Sequence, residues 1–369
     1  MNPFRYGEVV TKGEFCSRPD LVRRLRGYLE GGHNGVVMGE RRTGKTSLIH
    51  ESARRIRGLR LVYAQFWAVK SIEEIATRML RGITTSQTKG SFLERIGRSL
   101  AYLRPQIEFD PATGQPSVAI APGTKMSPEG LHGVFDLIEE LGKKHRLAVA
   151  LDEFQDIRDV PDADAVLGEI RGRIQLQAGI SYVFAGSIRH EMERIFRDPS
   201  KPFFKSLRVV EVGPIDRGKF RAFLETRFKT GKRKVSPEAI EEVFALADDN
   251  PSDVQQFCSA LWETTGPGDS IGLGEIQTAL NHVFATERKG FESMIKILTG
   301  QQKKCLRALS RLGGKHPQSK VFLAEAGIAL PTSVKRALTR LVDLEIVYGA
   351  DAEYKFFDPF FREWVAREL

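Results

Sequence analysis

Gly39-Glu40-Arg41-Arg42-Thr43-Gly44-Lys45-Thr46 is the stretch that decides the fold of this chain. It follows a short apolar run at 36–38 and opens a helix-forming run that begins Thr46-Ser47. In such a strand–loop–helix setting, the glycines let backbone N–H groups wrap around a phosphate, and the lysine reaches the β and γ phosphates. The threonine hydroxyl is placed to ligate Mg²⁺, and the helix N-terminus adds its partial positive charge. The stretch predicts a site for a nucleoside triphosphate and Mg²⁺.

A second apolar run, at 147–151, ends in two carboxylates, Asp152 and Glu153. Beside a phosphate loop, Asp152 is placed to hold Mg²⁺ through water, and Glu153 to orient and deprotonate an attacking water. An acidic pair after a strand is often only a solvated turn, so the pair takes its meaning from the loop. Together the two motifs predict hydrolysis as well as binding, with Lys45, Asp152 and Glu153 as catalytic residues.

The first part of the chain alternates between strand and helix patterns, which is typical of an α/β fold with a parallel sheet covered by helices on both faces. A helix-like stretch at 92–102 and a β-hairpin insertion near 104–121 fill the long gap between the two motifs. The predicted strands are 35–38, 59–67, 147–151, 180–185 and 207–212, and the predicted helices are 45–57, 71–81, 128–144, 163–178 and 189–196.

After Gly213-Pro214 the pattern changes to helices, predicted at 220–228, 237–247, 253–264 and 273–288. A third pattern follows, with helices at 301–312, 320–326 and 331–344 and short strands at 346–348 and 354–357. Three helices followed by a hairpin is the layout of a winged helix. We therefore expect a P-loop ATPase domain at 1–213, a helical lid domain at 214–293 and a winged-helix domain at 294–369.

Composition favours a cytoplasmic protein. The 369 residues are 41% hydrophobic and 28% charged, and no apolar run approaches the ~18–20 residues that cross a bilayer. The three cysteines have neither disulfide nor metal-site spacing. The net charge of +9 is concentrated at 217–234 and 296–320. These basic patches favour polyanions, nucleic acid first, although a solvated helix face is the alternative interpretation.

In this order, the motifs resemble the AAA+ ATPases, and more closely the prokaryotic STAND-like P-loop ATPases with a C-terminal winged helix. The resemblance implies that the nucleotide is ATP, with ADP as its product. It spans nearly the whole chain, on the segments 2–7, 15–18, 39–48, 151–155, 186–187, 250–255 and 358–364.

The resemblance also implies roles for flanking residues. Phe15 and Arg18 would lie against the adenine, and Ser187 would read the γ-phosphate as a sensor-1 residue. Pro251 would match the lid-domain proline that touches the base. Arg189 is favoured as the arginine finger, with Arg194 and Arg197 as alternatives. No sensor-2 arginine is evident near 250–251, which favours the STAND branch over ring-forming machines.

The third helix of a winged helix can enter a DNA major groove. Lys335 and Thr339 are four residues apart, as are Arg336 and Arg340, so each pair lies on one side of the helix. We keep DNA binding open beside its alternative, a winged helix that binds protein. The acidic wing residues at 351 and 353 are poorly suited to lie along phosphates.

Three hypotheses follow. The first is an ATP-hydrolysing molecular switch whose nucleotide state controls association through the winged helix. The second is an ATP-dependent DNA-binding protein of the initiator or transposition-regulator type. The third is a signalling scaffold whose winged helix binds another protein or a second copy of the chain.

Overall fold

A computed structural model of the chain describes residues 1–16, 18–86, 105–109, 116–121, 124–187, 189–204, 207–350 and 353–369. The predicted helix at 92–102 lies outside these residues. The chain divides into two compact units, one formed by Val9–Gly213 and the other by Met1–Glu8 with Pro214–Leu369. None of the helices within the described ranges is long and apolar enough to cross a membrane.

The first unit is built on a five-stranded parallel sheet. Its strands are β1 (Gly35–Met38), β2 (Arg60–Gln65), β5 (Leu147–Asp152), β6 (Ser181–Gly186) and β7 (Arg208–Glu211), in the order β2-β5-β6-β1-β7. A separate antiparallel hairpin is formed by β3 (Pro105–Phe109) and β4 (Pro116–Ile120), as predicted for the insertion. The helices of the first unit are α1 (Pro19–Glu30), α2 (Lys45–Arg54), α3 (Ile72–Thr85), α4 (His132–Lys144), α5 (Ala163–Leu176) and α6 (Arg189–Phe196).

The sheet is buried on both faces because its central strands carry apolar side chains at successive positions. Val149 and Leu151 of β5 point into one cluster, with side chains of α3, α4 and α5. Ala148 and Ala150 of the same strand point into the other cluster, with side chains of α1 and α2. The predicted α/β fold with helices on both faces is thereby confirmed. Helix α1, which starts with Pro19 and buries Val22, Leu25 and Leu29, was not predicted.

Parallel strands end at the same edge of a sheet, and this fixes where the motifs meet. The P-loop follows β1, the acidic pair ends β5, and Gly186-Ser187 ends β6. Strand β6 lies between β1 and β5 in the sheet. The three segments therefore share one edge, with Ser187 directly after the strand that separates the other two.

The second unit begins with a group of helices, α7 (Arg217–Thr230), α8 (Pro237–Leu246), α9 (Pro251–Thr264) and α10 (Leu273–Lys296). The two-residue strands β8 (Lys234–Val235) and β9 (Ser270–Ile271) pair in parallel. Helix α10 is continuous across 293–294, where the sequence predicts a domain boundary. That boundary stays a prediction.

The first eight residues of the chain belong to this unit, although the sequence predicts them as part of the P-loop domain. Phe4 is 4% exposed, with its ring 4.6 Å from that of Phe228 and 6.2 Å from that of Trp262. Asn2 Nδ2 donates to Ser259 Oγ at 2.8 Å. These contacts join residues more than 220 positions apart, a separation that no local pattern encodes.

The chain ends in α11 (Gly300–Leu312), α12 (Lys320–Ala326), α13 (Pro331–Asp343), the antiparallel strands β10 (Val347–Ala350) and β11 (Glu353–Phe356), and α14 (Pro359–Glu368). The first five match the predicted winged-helix layout. The final helix was not predicted. It is capped by Asp358, whose Oδ1 accepts hydrogen bonds from the N–H groups of Phe360 and Phe361.

Candidate nucleotide-binding site

The P-loop has the backbone shape that a phosphate cradle needs. Gly44 lies in the left-handed region, with φ of 86°, and caps the N-terminus of α2. A Cβ at Gly39 would lie 2.4 Å from the carbonyl oxygen of Val212, so only glycine fits there. Thr43 Oγ1 donates to the carbonyl oxygen of Glu40 at 2.8 Å and closes the turn. The two glycines are therefore needed for different reasons, one for its backbone angle and one for space.

Lys45 is enclosed by this loop. Its side chain is 5% exposed, and Nζ donates to the carbonyl oxygens of Gly39 at 3.0 Å and Glu40 at 2.8 Å. Burial lowers the pKa of Lys45, while the charges of Glu153 and Asp152 oppose that shift. The ammonium group is thus held by carbonyl oxygens of the loop, and its contact with phosphate stays a prediction.

Asp152 lies at the centre of a compact set of hydrogen bonds and is 2% exposed. Its Oδ2 accepts from Thr46 Oγ1 at 2.5 Å and from Tyr63 Oη at 2.9 Å, and its Oδ1 accepts from the backbone N–H of Glu153 at 2.9 Å. Burial, and then the charge of Asp152, raise the pKa of Tyr63, which stays protonated as a donor. Mg²⁺ binds hydroxyl and carboxylate oxygens, so Thr46 and Asp152 have the chemistry of the predicted metal ligands.

Glu153 adopts a left-handed backbone conformation, with φ of 49°. Such a conformation is strained for a residue with a side chain and persists where surrounding contacts hold it. Its Oε2 accepts from Ser187 Oγ at 2.8 Å and from Gln155 Nε2 at 2.7 Å. The structure therefore brings Glu153 and Ser187 together. Gln155 was not predicted as a site residue, although it lies only two residues after the acidic pair in sequence.

Arg18 supports the loop from outside. Its guanidinium donates to the carbonyl oxygens of Thr43 at 3.0 Å and Gly213 at 2.7 Å, and burial lowers its pKa to about 10. Phe15 is partly buried against the α1–α2 face of the sheet. Contact of Arg18 and Phe15 with adenine stays a prediction. Ser47, also predicted to bind nucleotide, accepts from the backbone N–H of Val10 at 3.1 Å.

The arginines predicted at or near the nucleotide site differ in the contacts of their side chains. The guanidinium of Arg41 lies 4.7 Å from the ring centroid of Trp67, a cation–π distance. Arg194 pairs with Glu191 at 2.9 Å, and Arg197, the residue after α6, pairs with Glu193 at 3.0 Å. Arg189 begins α6, and its side chain lies outside the described part of the chain. Arg42 is a P-loop residue with φ of 62°, and Pro251 is buried at the start of α9 in the second unit. The functional roles of these three residues stay predictions.

The predicted DNA-contacting residues share one exposed face of α13. Lys335, Arg336, Thr339 and Arg340 are all exposed, while Val334, Leu338 and Leu341 are buried. Arg340 Nη1 lies 3.8 Å from Asp343 Oδ2, so an acidic side chain interrupts the basic face at its end. The face is therefore basic and accessible, as the sequence predicts.

The two basic patches differ in how many of their basic side chains form ion pairs within the protein. In the patch at 217–234, Arg217 pairs with Asp249 and Glu241, and Arg221 pairs with Glu241. Arg233 is buried, with its guanidinium 3.8 Å from the ring centroid of Trp262. In the patch at 296–320 the described ion pairs involve only Arg311, which contacts Glu325. The second patch is the better candidate for binding a polyanion.

Comparison with known proteins agrees with this fold. A family model described as a probable winged helix domain matches residues 289–367. No curated protein matches the chain. A Walker-type ATPase of Pyrococcus abyssi is 19% identical, with a TM-score of 0.65, over 98% of this chain and 99% of its own.

Two further solved structures are proteins of Aeropyrum pernix. The ORC1 protein, solved in complex with DNA, is 16% identical, with a TM-score of 0.52, over 96% of this chain and 93% of its own. The ORC2 protein, solved as ADPNP–ADP complexes, is 13% identical, with a TM-score of 0.53, over 94% and 90%. At these identities the similarity shows the fold: a parallel sheet with helices on both faces, followed by a C-terminal winged helix, which confirms the predicted resemblance at the level of the fold.

Proposed function

We propose that the chain is an ATP-binding and ATP-hydrolysing molecular switch whose nucleotide state controls association through its winged helix. The observation that carries the proposal is the 2.5 Å hydrogen bond between Thr46 Oγ1 and Asp152 Oδ2, next to the buried ammonium of Lys45. Burying an ammonium and a carboxylate costs free energy, so their placement at one edge of the sheet favours a functional reason.

In this function each group of the chain has one role. The backbone N–H groups of the P-loop and Lys45 bind the phosphates, and Lys45 exchanges its bonds to loop carbonyls for bonds to phosphate oxygens. Thr46 and Asp152 would hold Mg²⁺, which neutralises phosphate charge when bound. Glu153 orients the attacking water and accepts its proton, and Ser187 contacts the same carboxylate.

The site is tested by two variants and a control. Lys45→Ala should abolish nucleotide binding, because it removes the cation that the loop encloses. Glu153→Gln should bind ATP as the parent does and lose turnover, because an amide cannot accept the proton. Glu139→Gln, which changes an exposed carboxylate of α4, is the control and should leave both unchanged. Parent-like hydrolysis by Glu153→Gln would show that another group is the base.

A second candidate function is ATP-dependent DNA binding of the initiator type. It is favoured by the basic, exposed face of α13 and by the fold shared with an ORC1 protein that was solved with DNA. Titration of duplex DNA at two salt concentrations, with and without ATP, tests it. Binding that weakens steeply with salt supports this candidate. Its absence in both nucleotide states favours a winged helix that binds protein, which is then measured as an ATP-dependent change of mass in solution.

A further inference from the structure

We propose that Gln155 is a positioning residue that fixes the orientation of the Glu153 carboxylate for hydrolysis; this inference rests on the proposed function. Gln155 lies in a short 3-10 helix, Phe154–Asp159, directly after β5 and is 3% exposed. Its Nε2 lies 2.7 Å from Glu153 Oε2 and 2.8 Å from Asp156 Oδ1. The amide group therefore links two carboxylates.

The orientation of this amide is dictated by chemistry. Ionised carboxylates only accept hydrogen bonds, so the NH₂ end of Gln155 must face Glu153 and Asp156 and give one hydrogen to each. Asp156 is itself held, because its Oδ2 accepts from the backbone N–H of Ala68 at 2.7 Å. A series of hydrogen bonds thus runs from the loop after β2, through Asp156 and Gln155, to the catalytic carboxylate.

The same contacts leave one oxygen of Glu153 for chemistry. Oε2 accepts from both Ser187 and Gln155, so its two lone-pair directions are used. Among the residues that the structure describes, Oε1 of Glu153 has no hydrogen-bond donor. A carboxylate held by one oxygen presents the other in a fixed direction, which is the geometry that a general base needs towards a water.

Gln155 is not the residue that packing alone would favour. Its Oε1 is buried with no hydrogen-bond partner among the described residues, and an unsatisfied buried acceptor destabilises a fold. The space for that oxygen depends on Gly186 at the end of β6, where a Cβ would lie 2.5 Å from it. A methionine would fill the same volume without an unsatisfied oxygen. The presence of an amide at this position is explained by the two hydrogen bonds that its NH₂ group donates.

The test uses Gln155→Met in the full chain, with binding, turnover and thermal unfolding measured on the same protein. Loss of a hydrogen bond to a charged group predicts a kcat lower by ~10- to 100-fold. The Kd for a non-hydrolysable ATP analogue should change by less than about twofold, because Gln155 does not contact the P-loop in the described residues. The Tm should change little, because the loss of two hydrogen bonds to carboxylates and the removal of the unsatisfied oxygen act in opposite directions.

A double-mutant cycle with Glu153→Gln separates positioning from other roles. Gln155→Met should lower turnover in the parent and have no further effect on the residual turnover of Glu153→Gln, since it acts only through that carboxylate. Parent-like kcat in Gln155→Met, or an equal fall in turnover in the Glu153→Gln background, would overturn the inference and leave the proposed function standing. A parent that hydrolyses no ATP would instead overturn the proposed function.

Discussion

Gly39 gives the sharpest test of how the P-loop is built, because its constraint is space. In Gly39→Ala the new Cβ would lie 2.4 Å from the carbonyl oxygen of Val212 and 3.2 Å from Val212 Cβ. Both belong to the segment that continues β7, which is held in place by a 2.7 Å bond from Val212 N–H to the carbonyl oxygen of Met38. The clash is thus with backbone that cannot turn away, and relief requires the end of β7 to separate from β1.

The magnitude follows from two costs. Overpacking of this kind costs about 1–3 kcal/mol, and losing the Val212–Met38 bond adds roughly 0.5–1.5 kcal/mol. For a unit of this size, each kcal/mol lowers Tm by about 2–4 °C, so the transition of the first unit should fall by roughly 3–18 °C. Because the displaced loop also carries the phosphate-binding N–H groups, nucleotide affinity should fall with it.

The assay is thermal unfolding of the full chain with and without ATP, alongside a nucleotide-binding titration. The matched control is Gly27→Ala, in the exposed interior of α1, where a Cβ meets nothing within 4 Å. That control should raise Tm slightly, since alanine is better than glycine in a helix by about 0.5–1 kcal/mol. If Gly39→Ala melts and binds nucleotide like the parent, the tight approach of β7 to the P-loop is refuted.

Three further predictions concern other parts of the molecule. Phe4→Ala should destabilise the second unit by about 3–5 kcal/mol, measured by denaturant unfolding, because a buried ring is lost; an unchanged midpoint would mean that the N-terminus does not pack there. Burial raises the pKa of Glu51, but hydrogen bonds from Arg54 and others outweigh it and lower the pKa to about 2. Its stabilising effect is therefore present above about pH 4.5 and lost as the pH falls towards 2, so Glu51→Gln should cost stability at pH 6 and progressively less at pH 3. If the winged helix binds DNA, changing Lys335 and Arg336 to alanine should reduce the salt slope by about 2, and an unchanged slope would exclude these contacts.

The sequence predicts the sheet and the nucleotide motifs because both depend on local patterns. Apolar runs of strand length followed by Gly-rich or acidic turns are visible in a single sequence, and Lys45, Thr46 and Asp152 lie together because parallel strands end at one edge. The winged helix was predictable for the same reason, since α13 alternates buried and exposed positions with helical spacing.

What the sequence could not predict depends on contacts between distant residues. The role of Gln155 becomes visible only when Glu153 adopts a left-handed conformation and Gly186 of another strand provides space. The composition of the patch at 217–234 favours a polyanion site. Arg217, however, forms ion pairs with Asp249 and Glu241, which lie outside the patch in sequence and are brought to it by the fold. Charge counting cannot distinguish a cation that is available to a ligand from one that is already paired.

The assignment of Met1–Glu8 to the second unit has a consequence for dissecting this molecule. The polypeptide passes between the units twice, after Glu8 and after Gly213, so the second unit is built from two separate segments. Expressing 214–369 alone would uncover the apolar pocket that receives Phe4 and invite aggregation. A circular permutant that carries residues 1–8 behind Leu369 on a flexible linker is the rational way to obtain that half separately.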